Sequence, residues 1–454
     1  MSESLKIYYY ILVFIGMLYA FYKVGINKTS FLIVMIFWAG LFEYLGEIID
    51  PIVTNLYKIL IVIIAISFTW LKILHNKTKY DNKLNFIFIL FSISFWVSYL
   101  LYGGDIITML SQYFYKFSFV FILYHYLKEI EFDRQKGLYI GKIILTILFI
   151  QILLSLIKLG FIGPTNDIGI VEKIVGSMSA GGAGLAVVIP VIALIFYWVL
   201  KEGQLKRKDW YIVISFIVIA FASAKRQPIV FFPLILFFLI SFAKKRIKLL
   251  SILKYMPIVI ILFIVGAKLN PSFNPENKVW GSFDIDFISE YGLRYYFGES
   301  DISSLSSSGF DTGIGRGAAI FYFYQPDRLN LNNVKEILFG KGRYYVAVAQ
   351  GGRFTAFASN YGIFQSGLMG EAGSLLYSFG YLGTLLLMIL AFVIINKTIN
   401  KHIVAIIFFY YLWDFLFYYN QVVYSSQSAV IVLCTIFLAQ INSSTNHRLS
   451  NSKQ

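Results

Sequence analysis

The sequence predicts an all-α polytopic membrane protein of about thirteen transmembrane helices, with one large extracytoplasmic loop that contains short helices. Three observations carry that expectation. Charge is scarce: 58% of the 454 residues are apolar and 14% are charged, against roughly 25% charged in a soluble domain. The apolar residues come in unbroken runs; Ile59 to Leu71, Trp210 to Ala222 and Ala372 to Ile395 hold no charge at all. The basic residues gather in alternate connections between the runs. A long run of this kind can cross a hydrocarbon layer about 30 Å thick, and in lipid only a helix satisfies its own backbone groups within one segment. The short alternating segments of a β-barrel are not seen.

The first three runs span 5–22, 31–49 and 57–74; the next three span 84–102, 106–127 and 138–161. Runs seven to ten are 174–200, 210–224, 228–243 and 255–268, and the last three are 372–395, 402–419 and 422–441. Met1 to Lys6 is barely basic, and the first run ends in Tyr19-Ala20-Phe21-Tyr22 without a small-x-small site. It is therefore expected to stay as a helix and not to be cleaved.

Orientation follows from the cations. One set of connections carries Lys23 and Lys28, then Lys77, Lys79 and Lys83, then Lys128, Arg134 and Lys136. The same set continues with Lys201, Lys206, Arg207 and Lys208, with Lys244, Lys245, Arg246 and Lys248, and with Lys397 and Lys401. The other set holds segments such as Gly103-Gly104-Asp105 and Gly163-Pro164-Thr165-Asn166-Asp167. The first set is assigned to the cytoplasm, which puts the N-terminus outside and the C-terminus inside a bacterial inner membrane. Residues 1–268 then hold transmembrane helices one to ten, 269–370 the large outside loop, 371–441 helices eleven to thirteen, and 442–454 a cytoplasmic tail. The net charge of +15 is what such loops produce, and its scatter argues against nucleic-acid binding. Cys434 is the only cysteine, so an intramolecular disulfide is excluded.

One short outside connection breaks the charge pattern. Ser223-Ala224-Lys225-Arg226-Gln227-Pro228 places two cations on the face that otherwise lacks them. They either snorkel to lipid headgroups or hold an anionic group at the outer surface.

The long loop is aromatic enough to pack, with Tyr291, Tyr295, Tyr296, Phe297 and the run Phe321-Tyr322-Phe323-Tyr324. Residues 276–311 are acidic and 316–353 basic, and the Ser/Gly-rich stretch from Ser303 to Gly313 reads as a flexible connection between them. Ala318 to Phe323 and Leu331 to Phe339 read as short helices, with Asn333 as a cap for the second. The loop has no histidine, and the chain has neither a Cys/His metal cluster nor a Walker-type phosphate loop. Asp284-Ile285-Asp286 has the spacing of a metal-binding carboxylate pair, a spacing that is also common by chance.

What the outside face does carry is a set of guanidiniums. Arg226 stands at a helix end, Arg316 in Gly315-Arg316-Gly317, Arg343 in Gly340-Lys341-Gly342-Arg343 and Arg353 in Gly351-Gly352-Arg353. Glycine allows a ligand close to the backbone, and Arg grips phosphate in a two-pronged way that Lys does not match. The pattern suggests pyrophosphate recognition; each arginine taken alone is equally well a solvated loop charge. Glu371, in Gly370-Glu371-Ala372-Gly373, opens the eleventh run. It either complements the helix dipole or accepts a proton from an attacking hydroxyl.

The order of these motifs resembles the O-antigen polymerase and ligase superfamily of polyprenyl-pyrophosphate-dependent glycan enzymes. The likeness lies in Ser223-Ala224-Lys225-Arg226, then a late outside loop with Gly315-Arg316 and Phe321-Tyr322-Phe323. It continues with Leu338-Phe339-Gly340-Lys341-Gly342, and then Glu371-Ala372-Gly373 with Gly380-Tyr381-Leu382-Gly383. It covers about residues 210–390. The resemblance implies a GT-C-like membrane fold and a metal-independent glycosyltransferase that uses no cofactor. Its partners would be a polyprenyl-pyrophosphate-linked oligosaccharide, the surrounding membrane lipid and a chain-length regulator protein. Arg316 and Arg353 would act in catalysis with Glu371 as base, and Lys225, Arg226 and Arg343 would bind pyrophosphate. Ligases of the superfamily have a loop histidine shortly before the next helix, where this chain reads Ser359-Asn360-Tyr361-Gly362-Ile363-Phe364. That departure favours a repeat-unit polymerase over a ligase. A flippase or other carrier is the alternative from another class, for which Gly176 to Gly184 would be a helix break instead of a small-residue packing face.

Overall fold

The computed structural model describes residues 3–26, 82–104, 106–129, 134–162, 184–222, 249–269, 334–340, 370–397, 401–417 and 431–440, most of 273–290, and scattered others including 50, 53 and 342. Among the described residues every regular element is helical and no strand occurs. In chain order these are α1 (Glu3–Ile26), α2 (Asn82–Tyr102) and α3 (Ile106–Ser111). A π-helical turn, Gln112–Phe117, joins α3 to α4 (Ser118–Glu129). Then follow α5 (Arg134–Ile162), α6 (Gly184–Leu200), α7 (Asp209–Ala222) and α8 (Leu249–Leu269). The last four are α9 (Val334–Phe339), α10 (Gly370–Ile395), α11 (Lys401–Phe417) and α12 (Ile431–Gln440). Among the described residues two helical windows, Lys83–Tyr102 and Ser378–Ile395, are long and apolar enough to cross a membrane, and shorter apolar helices lie at Lys6–Gly16, Pro190–Leu200, His402–Leu416 and Ile431–Gln440.

Apolar character and burial sort the helices. The described side chains of α6 from Val188 to Val199 are all buried, as are most of those in α4 from Ser118 to Leu127, so both lie inside the bundle. The neighbouring α2 instead exposes Phe86, Ile89, Leu90, Ile93 and Leu100 along one apolar face. Its opposite face presents Phe91 and Phe95 to Phe117 of the π turn and to Phe379 of α10, with ring centroids 5.2–5.9 Å apart. Edge-on and tilted rings at this spacing add about 0.5–1.5 kcal/mol per pair beyond burial. The π turn also lets the Tyr113 hydroxyl donate to Ser92 Oγ across 2.7 Å. The run expected at 106–127 is therefore one helical stretch with a widened turn inside it, and no residue composition announces that turn.

Two groups of helices result. In one, α10 packs on α2, α9 and α11; in the other, α6 packs between α5 and α7. The second group is closed at one end by polar contacts. Arg134 at the start of α5 pairs with Glu202 beyond α6. Asp209 at the start of α7 accepts from Lys201 Nζ (2.9 Å), the Tyr197 hydroxyl (2.6 Å) and the Lys206 backbone N–H (2.7 Å). Burial works against the charge on Asp209, but the hydrogen bonds from Tyr197, Lys201 and Lys206 outweigh it and hold the carboxyl down at about 2.

In the long loop, Asp284 Oδ1 accepts the backbone N–H groups of Asp286 (2.9 Å) and Phe287 (3.0 Å). This is an N-cap for the helical turn at 285–290, which the sequence did not predict. The carboxylate considered above for metal binding thus has a structural task. Of the helix expected over Leu331 to Phe339, Val334–Phe339 is present as α9; Leu331 to Asn333, with the expected cap, lie outside the described residues, as does the helix expected at Ala318 to Phe323.

Candidate functional site

Two glycine motifs 40 residues apart in sequence meet backbone to backbone. The first closes α9. Gly340, at φ +70°, donates its N–H to the Glu336 carbonyl (2.8 Å), which ends the helix in a left-handed cap. The second interrupts α10, where Gly380 has φ +63° and ψ −167°, a conformation essentially confined to glycine. A Cβ on Gly340 would lie 2.6 Å from the backbone of Ser378, Phe379 and Gly380, and one on Gly380 would lie 2.5 Å from the Ile337 and Leu338 carbonyls. Each glycine is thus required by the close approach of the other's backbone segment.

The break leaves backbone groups that an unbroken helix would pair internally. The Ser378 carbonyl accepts the Gly342 N–H at 3.0 Å and the Ser98 hydroxyl of α2 at 3.1 Å. The Leu338-to-Gly342 turn, the α10 break and α2 therefore form one joint. Small residues line it: Gly383 sits so close to α2 that a Cβ there would reach Ser94 Oγ at 3.2 Å.

Glu371 stands at the other end of the short upper half of α10, about 13 Å from the break at about 1.5 Å rise per residue. It is the second residue of the helix and only 1% exposed. That is the helix start at which the sequence placed it, at the mouth of the eleventh run. Every described side chain from Glu371 to Phe379 is buried. The other expected site residues, Lys225, Arg226, Arg316, Arg343 and Arg353, lie outside the described residues, so Glu371 alone is placed.

Sequence reasoning passed over two buried polar groups. Asp414, in α11, is fully buried one turn after the equally buried Tyr410. The signal was available, because a lone carboxylate inside an apolar run is costly and marks a site worth testing. The Tyr197–Lys201–Asp209 cluster was also missed, since its members look like ordinary loop charges until the loop closes. His125 is a core histidine, set edge-on to Phe121 and Tyr124. Among the described residues no group of three His, Cys, Asp or Glu side chains gathers as a metal site would require. No family model, curated protein or solved structure matches this chain.

Proposed function

We propose that this chain is a polytopic inner-membrane glycan polymerase that joins lipid-linked repeat units on the extracytoplasmic face. An acceptor sugar hydroxyl attacks the anomeric carbon of a polyprenyl-pyrophosphate-linked glycan. The new glycosidic C–O bond forms as the bond to pyrophosphate breaks, and the bonding pair leaves with the pyrophosphate. Glu371 takes the hydroxyl proton. Arg316 and Arg353, with Lys225, Arg226 and Arg343, stabilise the charge that develops on the leaving group.

The observation that carries this reading is the joint. Leu338-Phe339-Gly340-Lys341-Gly342 and Gly380-Tyr381-Leu382-Gly383 are weak as separate motifs, yet they interlock, on the same helix that carries Glu371. The membrane part of the reading has its own support. Only 28% of the Lys83–Tyr102 window is buried, whereas a soluble core helix of that length would be mostly covered. Below the break, α10 exposes Tyr381, Leu382, Leu385, Ile389 and Phe392. Exposed apolar faces of that extent suit lipid. Orientation is supported by contacts between ends that the charge count puts on one face: Arg134 with Glu202, Lys201 with Asp209, and Gln440 with the Lys397 carbonyl.

A helix broken at its outer end is also a feature of carriers, so the Gly380 break favours a lipid-linked oligosaccharide flippase as the second reading. The lipid-linked glycans of cells lacking the chain separate the two. Polymerase loss accumulates single repeat units on the outer face and abolishes the long ladder, whereas carrier loss strands them on the inner face. A ladder built in full but left on the polyprenyl carrier would instead identify a ligase. In the intact background, Glu371→Gln, Arg316→Ala and Arg353→Ala each remove the ladder, by about 10²–10⁴ for the base, while membrane insertion persists. Full activity in all three sinks the polymerase assignment.

A further inference from the structure

Among the described residues, the closed end of the α5–α6–α7 group carries more cations than the contacts given above use. The acids of the connection from α6 to α7 are engaged, Glu202 by Arg134 and Asp209 by Lys201, Tyr197 and the Lys206 backbone N–H. The Lys206, Arg207 and Lys208 side chains stay exposed on a turn that the Asp209 carboxylate holds in place. Directly after the cations, α7 begins with Trp210 and Tyr211, 36% and 73% exposed. Amphipathic rings of this kind settle at headgroup depth, which puts the three cations before them at phosphate level.

We propose that Lys206, Arg207 and Lys208 form a binding site for the phosphate of anionic lipid headgroups in the cytoplasmic leaflet. The proposal rests on the membrane-spanning part of the reading above and not on the polymerase chemistry. The order of the turn is what distinguishes the site from a flexible basic loop. Asp209 fixes the backbone through Lys206 N–H, so the turn itself need not be ordered when the cations meet a headgroup.

The test is a titration of the detergent-purified full chain with phosphatidylglycerol, phosphatidylcholine and inorganic phosphate. The chain is compared with the triple variant Lys206→Gln, Arg207→Gln, Lys208→Gln. Gln at 206 keeps the backbone N–H that Asp209 uses, and Lys201 is untouched, so the melting temperature should not change. Each surface cation is worth about fivefold toward an anionic lipid, so the variant should bind phosphatidylglycerol on the order of 100-fold more weakly at low salt. Phosphatidylcholine binding should stay level, and the wild-type preference should shrink as salt rises. Equal phosphatidylglycerol affinity in variant and wild type overturns the proposal. So does inorganic phosphate that competes as well as the lipid, because the site would then be one for the free anion. Release of the chain from membranes by alkaline extraction would instead overturn the membrane reading, whatever the titration gave.

Discussion

Replacing Gly380 by Ala tests whether the joint between the long loop and α10 is as tight as its geometry demands. Two costs arise at once. Gly380 holds φ +63° and ψ −167°, and a Cβ-bearing residue forced into such a region costs about 1–3 kcal/mol. The added methyl would also sit 2.5 Å from the Ile337 and Leu338 carbonyls. Neither is the free end of a flexible side chain, so α9 itself must shift, at about 1–3 kcal/mol for overpacking of this kind. The sum is on the order of 4 kcal/mol. Gly103→Ala isolates the first cost, because Gly103 has φ +71° with nothing within 4 Å of its would-be Cβ; it should lose only about 1–2 kcal/mol. Thermal unfolding of the purified full chain in detergent, followed by tryptophan fluorescence, reads the difference. At about 2–4 °C per kcal/mol for mid-sized domains, and less for a larger chain, Gly380→Ala should melt at least about 5 °C lower, and Gly103→Ala about 2 °C lower. Gly340→Ala should match Gly380→Ala, and the double variant should cost less than the two added together, because both methyls strain the same contact. Equal melting temperatures for Gly380→Ala and Gly103→Ala would refute the interlocked joint.

Two further outcomes follow from the same geometry. Ser98→Ala removes one of the two donors to the Ser378 carbonyl and should cost about 1 kcal/mol in the same melting assay, since the Gly342 N–H keeps that carbonyl partnered. Asp209 titrates at about 2 in the folded chain, below the value of about 3.9 expected when unfolded. Its stabilisation is therefore complete above the unfolded value and is lost as pH falls toward 2. The stability gap between wild type and Asp209→Asn should be level near neutral pH and close progressively below about pH 4, and a gap that widened on acidification would contradict the cluster.

The helices were legible because long apolar runs leave the backbone few alternatives. The runs expected at 84–102, 138–161 and 372–395 appear as 82–102, 134–162 and 370–395. What stayed hidden depends on partners distant in sequence. Gly380 and Gly383 stand in the sequence as a Gly-x-x-Gly motif, and the break at Gly380 shows only where the end of α9 docks on it from some 40 residues away. The π turn at 112–117 is accompanied by the Tyr113–Ser92 hydrogen bond, a contact that no local pattern encodes. Asp209 looks like one more loop charge until Tyr197 and Lys201 fold onto it. For the candidate site, the sequence supplied Glu371 and its position at a helix start, but not its burial, which is a property of the surrounding helices.

The break also decides what surrounds that carboxylate. A helix that continued straight from Ile395 to Gly370 would carry one stripe of exposure along its whole length. Instead, α10 turns an apolar face outward at Tyr381, Leu382, Leu385, Ile389 and Phe392, and above Gly380 every described side chain back to Glu371 is covered. The interruption thus separates a segment suited to hydrocarbon from one enclosed by protein. An apolar medium cannot satisfy the backbone groups that such a break releases, so they must be met by the chain itself. Gly342 and Ser98 do that at the Ser378 carbonyl. Glu371, at 1% exposed, is enclosed by protein; under the proposed chemistry that enclosure would set the environment of the base. The same contacts tie its helix to Gly342, the residue that precedes Arg343 in the sequence.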